Sequence, residues 1–376
     1  MDDTLVKRLK NCHYEPMKFS ASHLATSTRT YDGITLSVEN GVITQIESGQ
    51  VAGAKQLSGV VIPGFVDIHC HGGGGYDLSV DPRGAEFHLK HGSTTLLASF
   101  ISEPVTLIRE KISRLKLGRN LIGIHLEGPY LSHNHCGAHK KEYLLSPEMD
   151  DIKEYVSSGK VSYITIAPEI DGALEAISYL ASNNIKVAIG HSAATSVDIE
   201  EAIANGVIGV THFYNGMKKE LDNKDCLAGY SLNQSSLFLE LIMDGVHLSF
   251  DLIKEVIKRA PDRIIAITDA APFAGNPDGE YKLRELSVKV SDGVARLSSN
   301  GALAGSMLTM DKAFKNAMDN LGLDLVNAVN IFSTNPAKLL GEDLVGDIAV
   351  GKKANFLTFD EKWNLNEVYF EGELVS

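Results

Sequence analysis

Two histidines one residue apart, His69 and His71, are the first residues whose type and spacing suggest chemistry. Side chains at positions i and i+2 of a β-strand point to the same face, so both imidazoles can bind one ion while Cys70 points the opposite way. The glycines at 72–75 allow the backbone behind the pair to pass close to a ligand. Because such pairs are common by chance, they predict a metal site only together with further ligands.

Three further candidates each end an apolar segment: Glu127 in HLEGP, His191 in GHSAAT and His212 in THFYN. A carboxylate after apolar residues is costly to bury unless it is paired or binds a metal; a solvated turn carboxylate is the alternative. Three protein ligands with one open position are typical of catalytic zinc sites. Since Glu127 can also bridge to an ion on His69 and His71, the sequence predicts one or two divalent ions, Zn²⁺ first and Fe²⁺, Mn²⁺ or Co²⁺ as alternatives.

Asp269, in the segment AITDA, closes another apolar run. A carboxylate beside a metal-activated water can take a proton from that water and hand it to a departing nitrogen, which predicts an acid/base role. A further metal ligand and a helix N-cap are the alternatives. His139 lies in the loop after the run that ends at Glu127, and His247 lies in the loop after the run 237–243. Both are candidate donors to substrate oxygens, although ordinary surface or core histidines show the same pattern.

These residues belong to a repeating pattern in which a short apolar run is followed by a polar break and an amphipathic stretch such as DIEEAIANG or FDLIKEVIKRA. The runs are 66–71, 93–99, 121–127, 161–167, 185–191, 207–212, 237–243 and 263–269. Near-continuous apolar runs indicate parallel strands covered on both faces. Eight such units predict an α/β fold, a closed (β/α)8 TIM-like barrel with its catalytic groups at the carboxyl ends of the strands. An open doubly wound sheet is the alternative.

The two ends of the chain have a different pattern. Residues 31–62 and 345–376 contain short alternating segments separated by Gly, Asn and Asp turns, which favour antiparallel strands. We therefore expect residues 1–62 and 344–376 to form the two parts of a small β-domain, and residues 63–343 to form the catalytic barrel.

Composition limits the partners and the compartment. The chain has 376 residues with 48 acidic and 35 basic side chains, and its net charge of -13 disfavours binding to nucleic acid or anionic membranes. It contains no run of roughly 18 apolar residues and no apolar stretch behind the basic residues of its amino terminus. The cysteines, Cys12, Cys70, Cys136 and Cys226, stand singly, which favours reduced thiols. These features predict a cytoplasmic protein.

The ordered set VIPGFVDIHCHGG, HLEGPYL, TIAPE, IGHSAAT, THFYNGM, IMDGVH, ITDA, GALAGSMLTM and GKKANFLTF spans nearly the whole chain. It resembles the N-acetylglucosamine-6-phosphate deacetylase family of the amidohydrolase superfamily. GHSAAT, NGM and AGNPDGEY also resemble the N-acetylgalactosamine-6-phosphate branch. The resemblance implies a barrel with a β-sandwich-like side domain, a homodimer, and metal-dependent hydrolysis of an N-acetylhexosamine 6-phosphate to the amino-sugar 6-phosphate and acetate.

The resemblance also implies roles for residues. Glu127, His191 and His212 would bind metal, Asp269 would be the acid/base group, and the HxH pair allows a second ion. The implied substrate contacts are Ala138, His139, Asn215, Gly216, Asp244, Gly245, Val246, His247, Leu303, Ala304 and Gly305.

One position departs from the family pattern. An arginine that reaches the sugar phosphate of the neighbouring subunit is replaced by Asn223, next to Lys224. We expect His247, backbone N–H groups of Asn215 and Gly216, and Lys224, as a point charge acting across a dimer, to hold the phosphate. A deacetylase of an unphosphorylated or modified amino sugar, a cyclic-amide hydrolase or deaminase, and a catalytically silent sugar-binding barrel are the alternatives. Retention of the metal ligands and the acid/base carboxylate argues against the silent barrel.

Overall fold

The computed structural model describes residues 17–375, so Cys12 and the start of the predicted N-terminal segment lie outside the described residues. The strands, in chain order, are β1 Met17–Ala25, β2 Thr30–Glu39, β3 Val42–Ser48, β4 Lys55–Pro63, β5 Phe65–Cys70, β6 Gly72–Gly73, β7 Tyr76–Asp77, β8 Ser93–Ile101, β9 Leu121–Glu127, β10 Val161–Ile166, β11 Lys186–Ile189, β12 Val207–Val210, β13 Phe238–Ile242, β14 Ile264–Ile267, β15 Gly279–Leu283, β16 Leu286–Ser291, β17 Val294–Leu297, β18 Phe356–Phe359, β19 Leu365–Phe370 and β20 Glu373–Leu374.

The α-helices are Arg83–Lys90, Val105–Arg114, Met149–Ser157, Ala173–Ser182, Ser196–Ala204, Leu227–Ser231, Phe250–Arg259, Met310–Asn316, Leu325–Val329 and Asn335–Leu340. Shorter turns are the 3-10 segments Lys141–Tyr143 and Pro261–Arg263 and the π-helical segments Ala317–Leu321 and Asn330–Thr334. Within residues 17–375, none of the helices has both the length and the apolar character needed to cross a membrane.

Strands β5 and β8 to β14 form one parallel sheet in the order β14-β13-β12-β11-β10-β9-β8-β5. They coincide with the eight apolar runs, and strands such as β14 are buried over their whole length. The edge strands meet, because the Asp269 N–H donates to the His69 carbonyl at 2.9 Å and the His71 N–H donates to the Ala270 carbonyl at 3.0 Å. The predicted barrel is therefore confirmed, and the open doubly wound alternative is wrong.

Local capping explains where two of the intervening helices begin. The Thr195 side chain accepts a hydrogen bond from the Asp198 N–H, and the Asp198 carboxylate accepts one from the Thr195 N–H, so a capping box begins the helix Ser196–Ala204. Ser249 caps the helix Phe250–Arg259 by accepting a backbone N–H of its first turn. Each cap fixes the start of a helix and thereby the length of the loop that leaves the preceding strand.

A seven-stranded sheet of order β20-β19-β18-β4-β1-β2-β3 joins strands from both chain ends. The sequence predicts antiparallel strands here, but β1 and β4 pair in parallel, because the chain returns from the β2–β3 hairpin to the free edge of β1. The rings of Phe19 on β1 and Tyr369 on β19 have centroids 5.3 Å apart. In a flat sheet, three strand spacings of about 4.8 Å would separate these strands. The sheet therefore curls around its own apolar core, in agreement with a β-sandwich-like unit.

A separate antiparallel sheet, β15-β16-β17, follows the last barrel strand and is not among the predicted elements. Its strands alternate buried and exposed side chains, and an Asp292-Gly293 turn with positive φ at both residues joins β16 to β17. Phe273, in the loop after β14, stacks on Tyr281 of β15 with ring centroids 5.1 Å apart. This packing holds the small sheet over the mouth of the barrel.

Candidate active site

The carboxyl ends of the barrel strands surround a cavity of about 330 Å³. Its lining residues are His71, Ile101, Glu127, Gly137, Ala138, His139, His191, His212, Asn215, Gly216, Lys219, His247, Asp269, Ala271, Leu283, Ala302, Leu303, Ala304 and Gly305. The residues predicted from the strand ends thus lie together at one end of the barrel, where active sites of this fold are found.

Glu127 lies at the centre of the predicted ligands. Its Oε1 atom is 2.9 Å from His191 Nε2 and 2.9 Å from His212 Nε2, and the two Nε2 atoms are 3.0 Å apart. Its Oε2 atom faces the other direction, 3.2 Å from His71 Nε2. All four side chains are almost completely buried. One carboxylate therefore lies between two groups of imidazoles, as a carboxylate that bridges two ions would.

His69 and His71 form the second group. Their Nε2 atoms are 3.3 Å apart, which confirms that both rings leave β5 on the same face. Asp269 Oδ1 lies 3.3 Å from His71 Nε2 and 3.6 Å from His69 Nε2. Asp269 therefore contacts the histidine pair directly, and this position suits a proton acceptor and a further ligand equally.

The ring nitrogens that point away from the cavity show which histidines can bind metal. His71 Nδ1 lies 3.1 Å from the Ser99 carbonyl oxygen, and His191 Nδ1 lies 2.7 Å from the His135 carbonyl oxygen. A carbonyl only accepts, so Nδ1 carries a proton in each ring, and in the neutral ring Nε2 keeps the lone pair that can bind a metal. An acceptor behind the ring is the usual support for a metal-binding imidazole. The donor set therefore fits a divalent ion.

His139 also lies close to the cluster, but a hydrogen-bond donor and not an acceptor lies behind its ring. Its Nε2 atom is 3.4 Å from Glu127 Oε2. The Ser102 backbone N–H donates to His139 Nδ1 at 3.2 Å, so the neutral ring must carry its proton on Nε2. Burial lowers the pKa of His139, which favours this neutral form. His139 is thus built to donate a hydrogen bond into the cavity, in keeping with the predicted substrate contact.

The electrostatics of the cluster favour a cation. Burial alone raises the pKa of Glu127, but the surrounding imidazoles hold this pKa well below its usual value. Burial also opposes the shift at Asp269, whose pKa is lowered by His69 and His71. Burial alone lowers the pKa of His71, but hydrogen bonds with Asp269 and Glu127 outweigh this effect and raise the pKa to about 9. Two buried carboxylates therefore attract positive charge, and a metal ion can replace the imidazole protons.

Three of the strand-end residues have an unusual backbone. His191, His212 and Asp269 have φ values of 48°, 28° and 47°. Positive φ is uncommon outside glycine, and such strain, of about 1–3 kcal/mol per residue, clusters at functional sites. The left-handed turn directs each side chain from the end of its strand into the cavity.

The amidohydrolase family pattern matches residues 60–375 of this chain, which is most of its length. The chain belongs to the amidohydrolase family.

Relatives of this amidohydrolase are also similar over nearly their whole length. N-acetylgalactosamine-6-phosphate deacetylase of Escherichia coli O157:H7 is 32% identical, with 95% of this chain and 98% of that protein covered. N-acetylglucosamine-6-phosphate deacetylase of Vibrio furnissii is 31% identical, with 92% and 91% covered. The solved structure of a variant of N-acetyl-D-glucosamine-6-phosphate deacetylase from Mycobacterium smegmatis, in complex with N-acetyl-D-glucosamine-6-phosphate, is 33% identical with a TM-score of 0.89 and covers 96% and 99%. The resemblance predicted from the motifs is confirmed.

The predicted substrate contacts of this amidohydrolase separate into two groups. Those that line the cavity are Ala138, His139, Asn215, Gly216, His247, Leu303, Ala304 and Gly305. Asp244, Gly245, Val246 and Lys224 are not among the lining residues. Asp244 acts from behind the wall, because its carboxylate accepts a hydrogen bond from His247 Nδ1 at 2.7 Å. This contact fixes a proton on Nδ1, so in the neutral ring His247 Nε2 can accept a hydrogen bond in the cavity.

The predicted anion site at Asn215 and Gly216 is only partly available. The Asn215 N–H donates to the His212 carbonyl at 2.9 Å and cannot also bind an anion without breaking this turn. Gly216 has a φ of 58°, and a Cβ there would lie 2.8 Å from His191 Nδ1. Glycine is therefore required at this position by both conformation and space.

The lysines of the following loop have different positions. Lys219 is the only Lys or Arg of residues 17–375 that lines the cavity, and its Nζ lies 5.7 Å from the centre of the Tyr214 ring. Lys224 is exposed and is not among the residues that line the cavity. Asn223, at the family's arginine position, donates to Glu220 at 2.7 Å. A single chain therefore offers Lys219 to an anionic substrate, and Lys224 stays a prediction that requires a second subunit.

Two buried polar residues beneath the site are absent from the predicted set. Glu240, in the middle of β13, has no exposed surface, and neither does His125 of β9. His125 is held by Ser99 Oγ at 2.9 Å and Thr165 Oγ1 at 2.8 Å. The sequence contained a signal for both, since a charged or titratable residue in the middle of an apolar run needs partners inside the protein.

Proposed function

We propose that this amidohydrolase removes the acetyl group from an N-acetylhexosamine 6-phosphate and releases acetate. The observation that carries the proposal is the meeting of Glu127, Asp269 and the predicted imidazole ligands in one cavity. This function is the one predicted from the sequence, and relatives named as deacetylases of such 6-phosphates confirm it. N-acetylglucosamine 6-phosphate is the first substrate to test. The galactosamine isomer is the alternative, because its deacetylase is 32% identical.

We infer a divalent metal centre at Glu127, His191 and His212, with a second position at His69 and His71. Imidazole and carboxylate ligands suit zinc, and iron, manganese and cobalt also accept them. When bound, such an ion polarises an amide carbonyl and lowers the pKa of water. The close approach of ring nitrogens within each group, 3.0 and 3.3 Å, supports this assignment, because two such nitrogens need a proton or a metal ion near both, and a metal ion can replace the proton.

The proton transfers are assigned to Asp269. Its lowered pKa keeps the carboxylate ionised near neutral pH, so it can accept a proton from the water that attacks the acetyl carbon. As the C–N bond breaks, the same carboxylate returns that proton to the nitrogen, and the amino sugar leaves as an amine. Metal content distinguishes this role from that of a further ligand, because loss of a ligand also lowers metal binding.

The remaining lining residues orient the substrate. His139 offers an Nε2–H donor and His247 an Nε2 acceptor, as fixed by Ser102 and Asp244 behind them. Leu283 and Ala304, from the small sheet and the segment after it, supply an apolar wall. Such a wall limits water around the acetyl group, while the polar groups recognise hydroxyl oxygens.

Assembly and compartment remain our proposals. A homodimer would allow Lys224 of one subunit to approach the substrate of the other. A cytoplasmic location is supported by Cys70, Cys136 and Cys226, which are all free thiols.

The test is acetate release from both N-acetylhexosamine 6-phosphates and from their unphosphorylated forms, with metal-free and metal-reloaded protein. We expect turnover only with metal and a preference for a 6-phosphate. A metal-loaded protein that binds these sugars without releasing acetate would support the silent sugar-binding barrel instead. A preference for unphosphorylated sugars would contradict the phosphate assignment and leave the deacetylase assignment standing.

A further inference from the structure

Glu240 is a carboxylate inside the barrel, directly beneath the candidate metal centre. It occupies the middle of β13, whose other residues are apolar, and it has no exposed surface. A carboxylate in such a place is costly unless several donors satisfy it. The hydrogen-bond partners of the Glu240 carboxylate therefore indicate its role.

Three donors from different parts of the barrel, on β10, on β5 and just after β12, converge on this carboxylate. The Tyr163 hydroxyl donates a hydrogen bond to Glu240 Oε1 at 2.6 Å. His69 Nδ1 lies 3.2 Å from Oε2, and the backbone N–H of His212 donates to the same oxygen at 3.1 Å. One side chain thus contacts a predicted ligand from each of the two histidine groups.

An ionised carboxylate can only accept, so the proton of a neutral His69 must lie on Nδ1 and its Nε2 lone pair must face His71. We propose that Glu240 is a positioning residue that commits His69 to the metal-binding tautomer, with Tyr163 fixing the rotation of the carboxylate. The inference rests on the proposed metal centre. His71 and His191 are supported by backbone carbonyls, which substitution cannot remove. The support of His69 is a side chain, and it can be removed.

The test compares Glu240→Met with Glu240→Gln in the full-length protein, using zinc affinity from competition with a chromophoric chelator and zinc content per chain. Methionine removes the acceptor with little change of volume. Glutamine keeps one oxygen that can face His69, because the Tyr163 hydroxyl can accept a hydrogen bond from the amide nitrogen. Loss of such a support typically weakens metal affinity about 10- to 100-fold. We expect a loss of this size at one zinc position in Glu240→Met and recovery of most of it in Glu240→Gln.

A double variant shows whether Glu240 acts through His69. In a His69→Asn background, Glu240→Met should cause no further loss of zinc affinity, because the ligand that it positions is gone. Equal losses of zinc affinity in Glu240→Met and Glu240→Gln would mean that the negative charge of Glu240 matters and its hydrogen-bond acceptor does not. That result would overturn the inference. So would a Met variant that binds zinc as tightly as the wild type.

Should Glu240→Met fail to fold, the wild type itself answers the question. Nitrogen-15 NMR of histidine-labelled protein distinguishes the two neutral tautomers, and a proton on Nε2 of His69 in the metal-free protein at high pH would contradict the proposal. A wild type that binds no metal would overturn the proposed function as well. A wild type that binds zinc and releases acetate, beside an equally tight Met variant, would overturn only the role of Glu240.

Discussion

The cation that recognises a substrate phosphate can be identified by replacing two lysines of one loop. Lys219 lines the cavity, whereas Lys224, five positions later, is exposed outside it. Both side chains carry the same charge in the same loop, so each variant is a matched control for the other. Lys219→Ala and Lys224→Ala therefore differ mainly in the distance of the lost charge from the substrate of the same subunit.

The size of the effect follows from the exposure of Lys219. A hydrogen bond to a charged group contributes roughly 1.5 to 3 kcal/mol, and solvent around an exposed lysine favours the lower end of that range. About 1.4 kcal/mol corresponds to a tenfold change in an equilibrium constant. We expect Lys219→Ala to raise KM for a 6-phosphate about tenfold, to leave KM for the unphosphorylated sugar nearly unchanged, and to weaken the salt dependence of KM.

The assay is acetate release for both substrates at two ionic strengths, together with the oligomeric state from light scattering. If Lys224→Ala produces the phosphate-specific loss in a dimeric protein, the residue predicted from the sequence acts across the subunit interface and Lys219 does not. If neither variant distinguishes the phosphorylated from the free sugar, the reasoning from cavity position is wrong.

Four further predictions concern the cluster and its surroundings. Removal of metal by a chelator should abolish acetate release, and added zinc should restore it; activity that survives with no metal by elemental analysis would refute the centre. Asp269→Asn should lower kcat about 10²- to 10⁴-fold with full metal content, whereas parallel loss of metal would identify a ligand. His139→Gln should raise KM and retain metal, while His191→Gln should lose metal; equal metal loss would contradict the tautomers assigned to them. Burial lowers the pKa of His88 from 6.5 to about 4. Between pH 6.5 and about 4 the unfolded chain therefore binds more protons than the folded protein, and the free energy of unfolding falls as the pH decreases. The full effect is about 3 kcal/mol, and urea unfolding at pH 7.5 and 4.5 should show a smaller pH dependence in His88→Gln; an unchanged dependence would contradict this assignment.

The eight strands could be predicted because their signal is local. Parallel strands buried on both faces are nearly continuous apolar runs, and a polar residue at the end of such a run marks the mouth of the barrel. Glu127 is the last residue of β9, and His71 directly follows β5. The approach of these residues to each other follows from the topology alone.

The features that were missed depend on distant partners. The parallel pairing of β1 with β4 depends on which free edge the returning chain meets, and no local pattern contains that information. The small sheet β15-β16-β17 has an alternating pattern and an Asp-Gly turn, so its signal was present, but its position over the cavity comes from contacts such as that of Phe273 with Tyr281. The position of Lys219 in the cavity wall depends on the path of a loop, which residue type does not determine, and Lys224 stays a prediction that requires a second subunit.

The chemistry of each imidazole is decided by the atom behind it. His139 and His191 both approach Glu127, with Nε2 3.4 and 2.9 Å from its carboxylate oxygens. A backbone N–H lies behind the first ring and a backbone carbonyl behind the second, so in their neutral forms the first presents a proton to the cavity and the second a lone pair. These atoms belong to Ser102 and His135, in loops that follow different strands. Strand ends and the loops after them therefore bring histidines to the mouth of the barrel, and the backbone atoms behind each ring determine which can bind a metal and which can donate to a substrate.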